Sequence, residues 1–175
     1  MPECLFCKIA KGEIPAAIVY DSKDVMAFLD IKPANPGHVL VIPKAHYQVL
    51  PQVPDELNAV LMQVIKIIAH AQIEAVGAQG VSVVQRNGTV AGQVVPHVYF
   101  HVIPRFKDDK VVDTWETVDM SEDQLKEIQA RLIEHAKAIA SGTEVKHVPK
   151  LQEPSSAPKE PVKKEKPLKV KPRHG

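Results

Sequence analysis

Before residue 121 only one segment carries a helical repeat, and its position decides how the other segments can pair. After Pro54-Asp55-Glu56, apolar residues fall at Leu57, Val60, Leu61, Val64, Ile67, Ile68 and Ala71, and the pattern stops at Gly77. This spacing predicts an amphipathic helix of about five turns. Around it lie five short segments rich in Val, Ile and aromatics and bounded by Pro, Gly, Asn or Asp: residues 17–20, 24–30, 38–43, 80–86 and 97–104. Each reads as a strand. Three precede the helix and are joined by short turns, so they pair as an antiparallel meander. A second helix starts at Ser121, where Ser-Glu-Asp-Gln has capping-box spacing, and runs through Leu125, Ile128, Leu132, Ala136 and Ile139 to Gly142. The predicted class is α+β: a five-stranded antiparallel sheet, one long helix between strands and a C-terminal helix.

With 175 residues and 45% hydrophobic content, the chain can bury one sizeable core. One domain is expected over residues 1–142, followed by a disordered, basic, Pro/Lys-rich tail at 143–175. Residues 149–175 hold eight Lys or Arg against three Glu, which leaves 14 basic and 18 acidic residues before them. Six Pro and seven Lys in that stretch leave almost no apolar periodicity to offset the entropy of ordering. Such a tail either meets an acidic partner, nucleic acid or lipid, or is a solvated appendage. The N-terminus lacks the charged and apolar regions of a signal peptide, and no run of 18 apolar residues is present, so a cytoplasmic protein without a membrane partner is expected. Cys4 and Cys7 alone cannot build a disulfide framework, which turns their pairing into a metal question.

The chemistry is concentrated between Asn87 and Arg105. On a strand, side chains alternate, so His97, Tyr99 and His101 share one face while Val98, Phe100 and Val102 enter the core. Just before them, Gly88 and Gly92 lie in a loop whose backbone N–H groups can approach an anion. Taken alone, this is a loop-plus-imidazole phosphate site or a set of ordinary, partly buried polar residues.

The same stretch resembles the motif of the histidine triad (HIT) family, His-φ-His-φ-His-φ-φ with φ apolar, preceded by Asn-Gly and Ala-Gly-Gln. Further matches are CLFCKIAKGEIPA at the start and FLDIKPANPGHVLVIPKAH at 28–46, in the right order over about the first two thirds of the chain. The resemblance implies a HIT-like fold and a nucleotide site in which the middle histidine attacks an α-phosphorus. A nucleotidyl-imidazole intermediate then passes to water or another acceptor. The matching residue here is Tyr99. Imidazole is a neutral nucleophile near pH 7 and a good leaving group. A phenol, with an ordinary pKa of about 10, is neither. His101 completes the expected catalytic pair.

What else the resemblance implies is a set of contacts. Asp30 matches the carboxylate that accepts both ribose hydroxyls. Phe6, Ile9, Phe28 and Ile31 match apolar walls around the base, with plain core packing as the other reading. Asn87, Gly92, Gln93, Val94 and His101 match the phosphate site, although Val94 stands where Ser or Thr is frequent. His38 is similar to a family histidine near the triad, or is a buried structural histidine. Cys4-x-x-Cys7 has knuckle spacing, and His46 and His97 match the remaining ligands of zinc-bearing members, which implies structural zinc. Inert thiols on an N-terminal turn, or a redox pair, are the other readings.

Three functions are therefore carried forward. The first is a purine nucleotide phosphoramidase or dinucleoside polyphosphate hydrolase altered by Tyr99; the second is a nucleotide-binding module without turnover; the third is an interaction protein acting through its tail. A homodimer is also implied, formed by the long helix and the strand at 80–86. Apolar residues on more than one helix face, including Ile65, Ile67 and Ile73, fit that assembly.

Overall fold

In the computed structural model, which describes residues 4–112 and 117–142, the chain forms an α+β fold. A short helix α1 (Leu5–Ala10) leads into strands β1 (Ile18–Asp21), β2 (Val25–Leu29) and β3 (Val39–Pro43). The long helix α2 (Asp55–Val76) follows, then β4 (Gly80–Gln85), β5 (Phe100–Arg105) and α3 (Glu122–Ala140). The five strands make one antiparallel sheet in the order β1-β2-β3-β5-β4. As the short turns require, β1, β2 and β3 form a meander. The crossover through α2 carries the chain past the position that β5 later fills, which leaves β4 as an edge strand.

Alternation along the strands builds two cores. Val25, Ala27, Val39, Val41, Val98, Phe100 and Val102 pack against Leu61, Val64, Ile65 and Ile68 of α2. Met26, Phe28, Leu40, Ile42 and Tyr99 face the other way and pack against Phe6 and Ile9 of α1. Both sheet faces are thus covered at β2 and β3, which explains their near-continuous apolar runs. Each fully buried aliphatic side chain contributes on the order of 1.5–3 kcal/mol through the area it removes from water. By length and composition α2 could cross a membrane, but its stripe of buried residues is spent on the sheet. It ends as expected at Gly77, whose φ of 67° is the left-handed conformation that glycine adopts without a Cβ penalty.

Two local features differ from the sequence reading. The N-terminal turn is a helix, α1, and it covers a sheet face. The strand expected from 97 begins only at Phe100. Residues 97–98 bond elsewhere: the His97 carbonyl accepts from Gln93 Nε2 at 3.1 Å, and the Val98 amide donates to the Tyr47 carbonyl at 2.7 Å. The capping box of α3 is present, with the Gln124 amide on Ser121 Oγ at 3.3 Å and the Ser121 amide on Gln124 Oε1 at 2.8 Å. Its apolar residues Leu125, Ile128, Leu132 and Ile139 are exposed. The expected tail, and Trp115, lie outside the described residues.

Candidate functional site

Four ligating side chains meet where α1 approaches the end of β3. Cys4 is the N-cap of α1 and Cys7 lies three residues on, which places both sulfurs toward the sheet. Cys4 Sγ is 3.4 Å from His97 Nδ1, Cys7 Sγ is 3.3 Å from His46 Nδ1 and 3.6 Å from His97 Nδ1, and the two Nδ1 atoms are 3.2 Å apart. A tetrahedral ion with metal–nitrogen bonds of about 2.0–2.1 Å and metal–sulfur bonds of about 2.3 Å requires nitrogen–nitrogen edges of about 3.3 Å and nitrogen–sulfur edges of about 3.6 Å. The cluster matches these edges within a few tenths of an ångström, so the four residues could hold a metal.

The surroundings support the same use. His97 is fully buried, and its Nε2 donates to the Pro43 carbonyl at 2.9 Å, which turns Nδ1 toward the sulfurs. Burial, the larger effect, and the neighbouring His46 push His97 down to about 4 against the opposing Pro43 bond, so the ring is neutral, as a ligand must be. The Cys7 thiol is pushed up to about 11, first by burial and then by Cys4. A cation among the sulfurs reverses that, because it stabilises the thiolate directly.

A second cluster joins β2, β3 and β5. Asp30, His38 and His101 lie together, with His38 Nε2 3.0 Å from His101 Nδ1. Asp30 Oδ1 accepts the Lys32 amide at 2.8 Å, which fixes the carboxylate at the strand end. Its Oδ2 lies 3.6 Å from His38 Nδ1. That contact is not an ion pair, because the same Nδ1 accepts the Ala34 amide at 3.1 Å and burial lowers the His38 pKa more than Asp30 raises it. The Tyr99 ring stacks edge-on against His101 at 5.0 Å and against Phe6 at 5.1 Å. Tyr99 and His101 thus share a face, as alternation requires, and that face is the floor of the second core.

The loop from Asn87 to Val95 is fixed by its own side chains. Gln93 is buried; its Oε1 accepts the Gly88 amide at 2.6 Å, and its Nε2 donates to the carbonyls of Gln48, Val95 and His97. Asn87 accepts the Leu50 amide at 2.8 Å and exchanges amide bonds with Gln85. Both side chains order the loop, Gln93 from a buried position and Asn87 from a half-buried one. Gly92, at φ 84°, closes the turn, with an Arg86 side-chain carbon 3.3 Å from where a Cβ would stand. Val94 projects outward, 75% exposed.

Of the expected apolar walls, Phe6, Ile9 and Phe28 are buried in the second core, and Phe6 lies edge-on to Phe28 at 5.8 Å. Ile31 stands apart on the surface, 92% exposed. His38, which the sequence leaves between two readings, is both buried and bonded to His101. The sequence gives no signal for the Asn35–Asp109–Arg105 group, which pins the segment after β5. There Arg105 holds the Asp109 carboxyl well below the usual carboxylate range.

These features coincide with a family. Residues 11–108 match the HIT domain, and the chain belongs to the HIT family. It is 36% identical over 124 residues to the adenosine 5'-monophosphoramidase of Schizosaccharomyces pombe, a match covering 70% of this chain and 90% of that protein. Among solved structures it resembles a HIT family protein from Bacillus subtilis, with a TM-score of 0.72 and 36% identity over 75% of this chain and 96% of the other. It also resembles a Zn-bound histidine triad family protein from Mycobacterium smegmatis, with a TM-score of 0.61 and 34% identity over 81% and 98% of the two chains.

Proposed function

We propose that the chain is a purine-nucleotide-binding HIT protein whose hydrolytic step is restrained because Tyr99 holds the position of the family's nucleophilic histidine. Nucleotide hydrolase chemistry is supported by the family and by phosphoramidase relatives. The observation that carries the site is the convergence of Asp30, His38, His101 and Tyr99 beside the Gly-rich loop. Asp30, already oriented by the Lys32 amide, keeps Oδ2 for the ribose hydroxyls. The base lies toward the exposed Ile31, with Phe6, Ile9 and Phe28 forming the packed core beneath it. The phosphate lies toward the Gly92–Val94 backbone and His101, with Asn87 and Gln93 shaping that backbone from beneath.

Zinc would be held by Cys4, Cys7, His46 and His97, tying α1 to the segment after β3 and to the segment before β5. With four protein ligands such an ion would be structural and would supply folding stability. A reducing, cytoplasmic setting suits such thiolate ligands. We place the dimer interface on the exposed side of α2, where Met62, Ile67, Ile73 and Val76 remain uncovered, and on the edge strand β4 with Val83. Sedimentation of a monomer at micromolar concentration counts against that interface. The basic tail at 143–175 adds an acidic partner to this reading.

Calorimetric titration with adenosine monophosphate tests the site. Asp30→Asn keeps an acceptor for the Lys32 amide and removes the charge, so affinity falls about tenfold or more, in line with the roughly 1.5–3 kcal/mol of charged hydrogen bonds. Unchanged affinity in the variant removes Asp30 from the ribose role.

A further inference from the structure

Between Gly88 and Val94 the loop folds onto its own backbone. The amides of Ala91 and Gln93 donate to the Gly88 carbonyl at 3.1 and 3.0 Å, and the Gly92 amide donates to the Thr89 carbonyl at 2.9 Å. None of these three is available to an anion without opening the turn. Val94 is different, because its N–H donates to a side chain, the Tyr99 Oη, at 3.3 Å. With Val94 exposed and Tyr99 only 6% exposed, this amide stands at the boundary between solvent and the second core. The phenol lies directly beneath it.

At 3.3 Å the bond is longer than the usual N–H···O range and is weak in itself. What holds the phenol is its ring, edge-on to Phe6 at 73° and to His101 at 70°. Swinging Oη away from the amide means moving an aromatic ring through packed neighbours. A phosphate oxygen must approach the same nitrogen along the same N–H direction to about 2.7–3.2 Å. Two oxygens cannot occupy that place.

We propose that Tyr99 sets the class of ligand: its hydroxyl occupies the Val94 amide, the loop donor that borders the triad face, so the site prefers an uncharged purine nucleoside to the corresponding monophosphate. This rests on the nucleotide-site reading above and narrows it. The phenol hydroxyl bonds the Val94 amide and not the ribose carboxylate, so the phosphate alone must displace it. Tyr99 acts here as a specificity residue, independently of any covalent chemistry.

Calorimetry with adenosine and adenosine monophosphate on the full chain and on Tyr99→Phe tests this. The variant keeps the ring packing and deletes only the hydroxyl. In the parent, adenosine binds at least as tightly as its monophosphate. In Tyr99→Phe, monophosphate affinity rises about three- to tenfold, the scale of one neutral hydrogen bond, while adenosine affinity stays the same. The Val94 amide resonance shifts with inorganic phosphate in the variant and stays still in the parent. Monophosphate affinity that is unchanged or lower in Tyr99→Phe, with adenosine binding intact, overturns the inference alone, since the hydroxyl then does not compete. Failure of both ligands to bind parent and variant overturns the nucleotide reading and this inference together.

Discussion

His38 Nε2 lies 3.0 Å from His101 Nδ1, and the Ala34 amide decides which ring donates. That amide donates to His38 Nδ1 at 3.1 Å, so the His38 proton sits on Nε2 and points at His101. His101 accepts at Nδ1 and keeps its own proton on Nε2. The relay exists only while both rings are neutral. Burial first, then the adjoining His38 and the Arg86 charge, with Asp30 opposing, push His101 from 6.5 down to about 4.

Acid stability follows from that shift. Between about pH 6.5 and 4 the unfolded chain binds a proton at residue 101 that the folded chain refuses, so stability falls as pH drops through this window. His101→Gln removes the titration, and its melting temperature should decline less than the parent's over the same interval. Thermal melts of the two proteins across the window check it. Parallel curves acquit His101.

Gln93 should matter more for stability than its loop position suggests. Its side chain accepts one amide and donates to three carbonyls spread over residues 48, 95 and 97. Gln93→Ala leaves the Gly88 amide and the Gln48 and His97 carbonyls without this partner, while the Val95 carbonyl keeps the His97 amide, and should cost about 3 kcal/mol, since each buried orphan costs roughly 1–3 kcal/mol and the losses are not additive. Gln93→Glu should be at least as damaging, because it points an oxygen at the three carbonyls. Urea denaturation measures both, and a Glu variant as stable as the parent would contradict the bonding described.

Much of the fold is legible in residue order because period and burial coincide. Leu61, Val64 and Ile68 recur at helical spacing and all three face the sheet; Met26 and Phe28 alternate with Val25 and Ala27 and divide between the two cores. Such patterns are local. The bonds of Gln93 to residue 48 and of His38 to residue 101 are set by tertiary closure, and no spacing announces them. The late start of β5 has the same origin in part, since the Val98 amide finds its partner in the distant Tyr47 carbonyl. Ile31 departs for a different reason: it follows the last residues of β2, where the chain turns to let Asp30 accept the Lys32 amide, and its side chain is left outside.

The metal cluster predicts a measurable composition. Protein purified without chelator should carry one zinc per chain, and Cys4→Ser should lower occupancy and melting temperature together, because an ion held by these four residues would link α1 to the sheet. Elemental analysis beside thermal denaturation reads both effects. Full occupancy in the Cys4→Ser protein, or no zinc in the parent, removes the site. Chelation of the parent should reproduce the stability loss of the variant, as expected where binding free energy is part of folding free energy.

Restoring imidazole at position 99 is the decisive chemical test. The ring of residue 99 already stands 5.0 Å from His101, on a face built by Phe6 and Phe28, so the scaffold for a histidine is in place. Tyr99→His returns a nucleophile that is largely neutral near pH 7 and leaves as a stable ring in the second step. It also withdraws the hydroxyl from the Val94 amide, which opens that donor to the phosphate. Both changes act in the same direction, and hydrolysis of adenosine phosphoramidate should rise by about four to six orders of magnitude, the scale on which losing a nucleophile disables comparable hydrolases. The parent should release product slowly and accumulate no adduct, so its intact mass after incubation with substrate should be unchanged. A parent that turns over as fast as its histidine variant, or that gains the mass of one nucleotidyl group at Tyr99, makes the phenol the working nucleophile and ends the reading of this chain as a restrained member of its family.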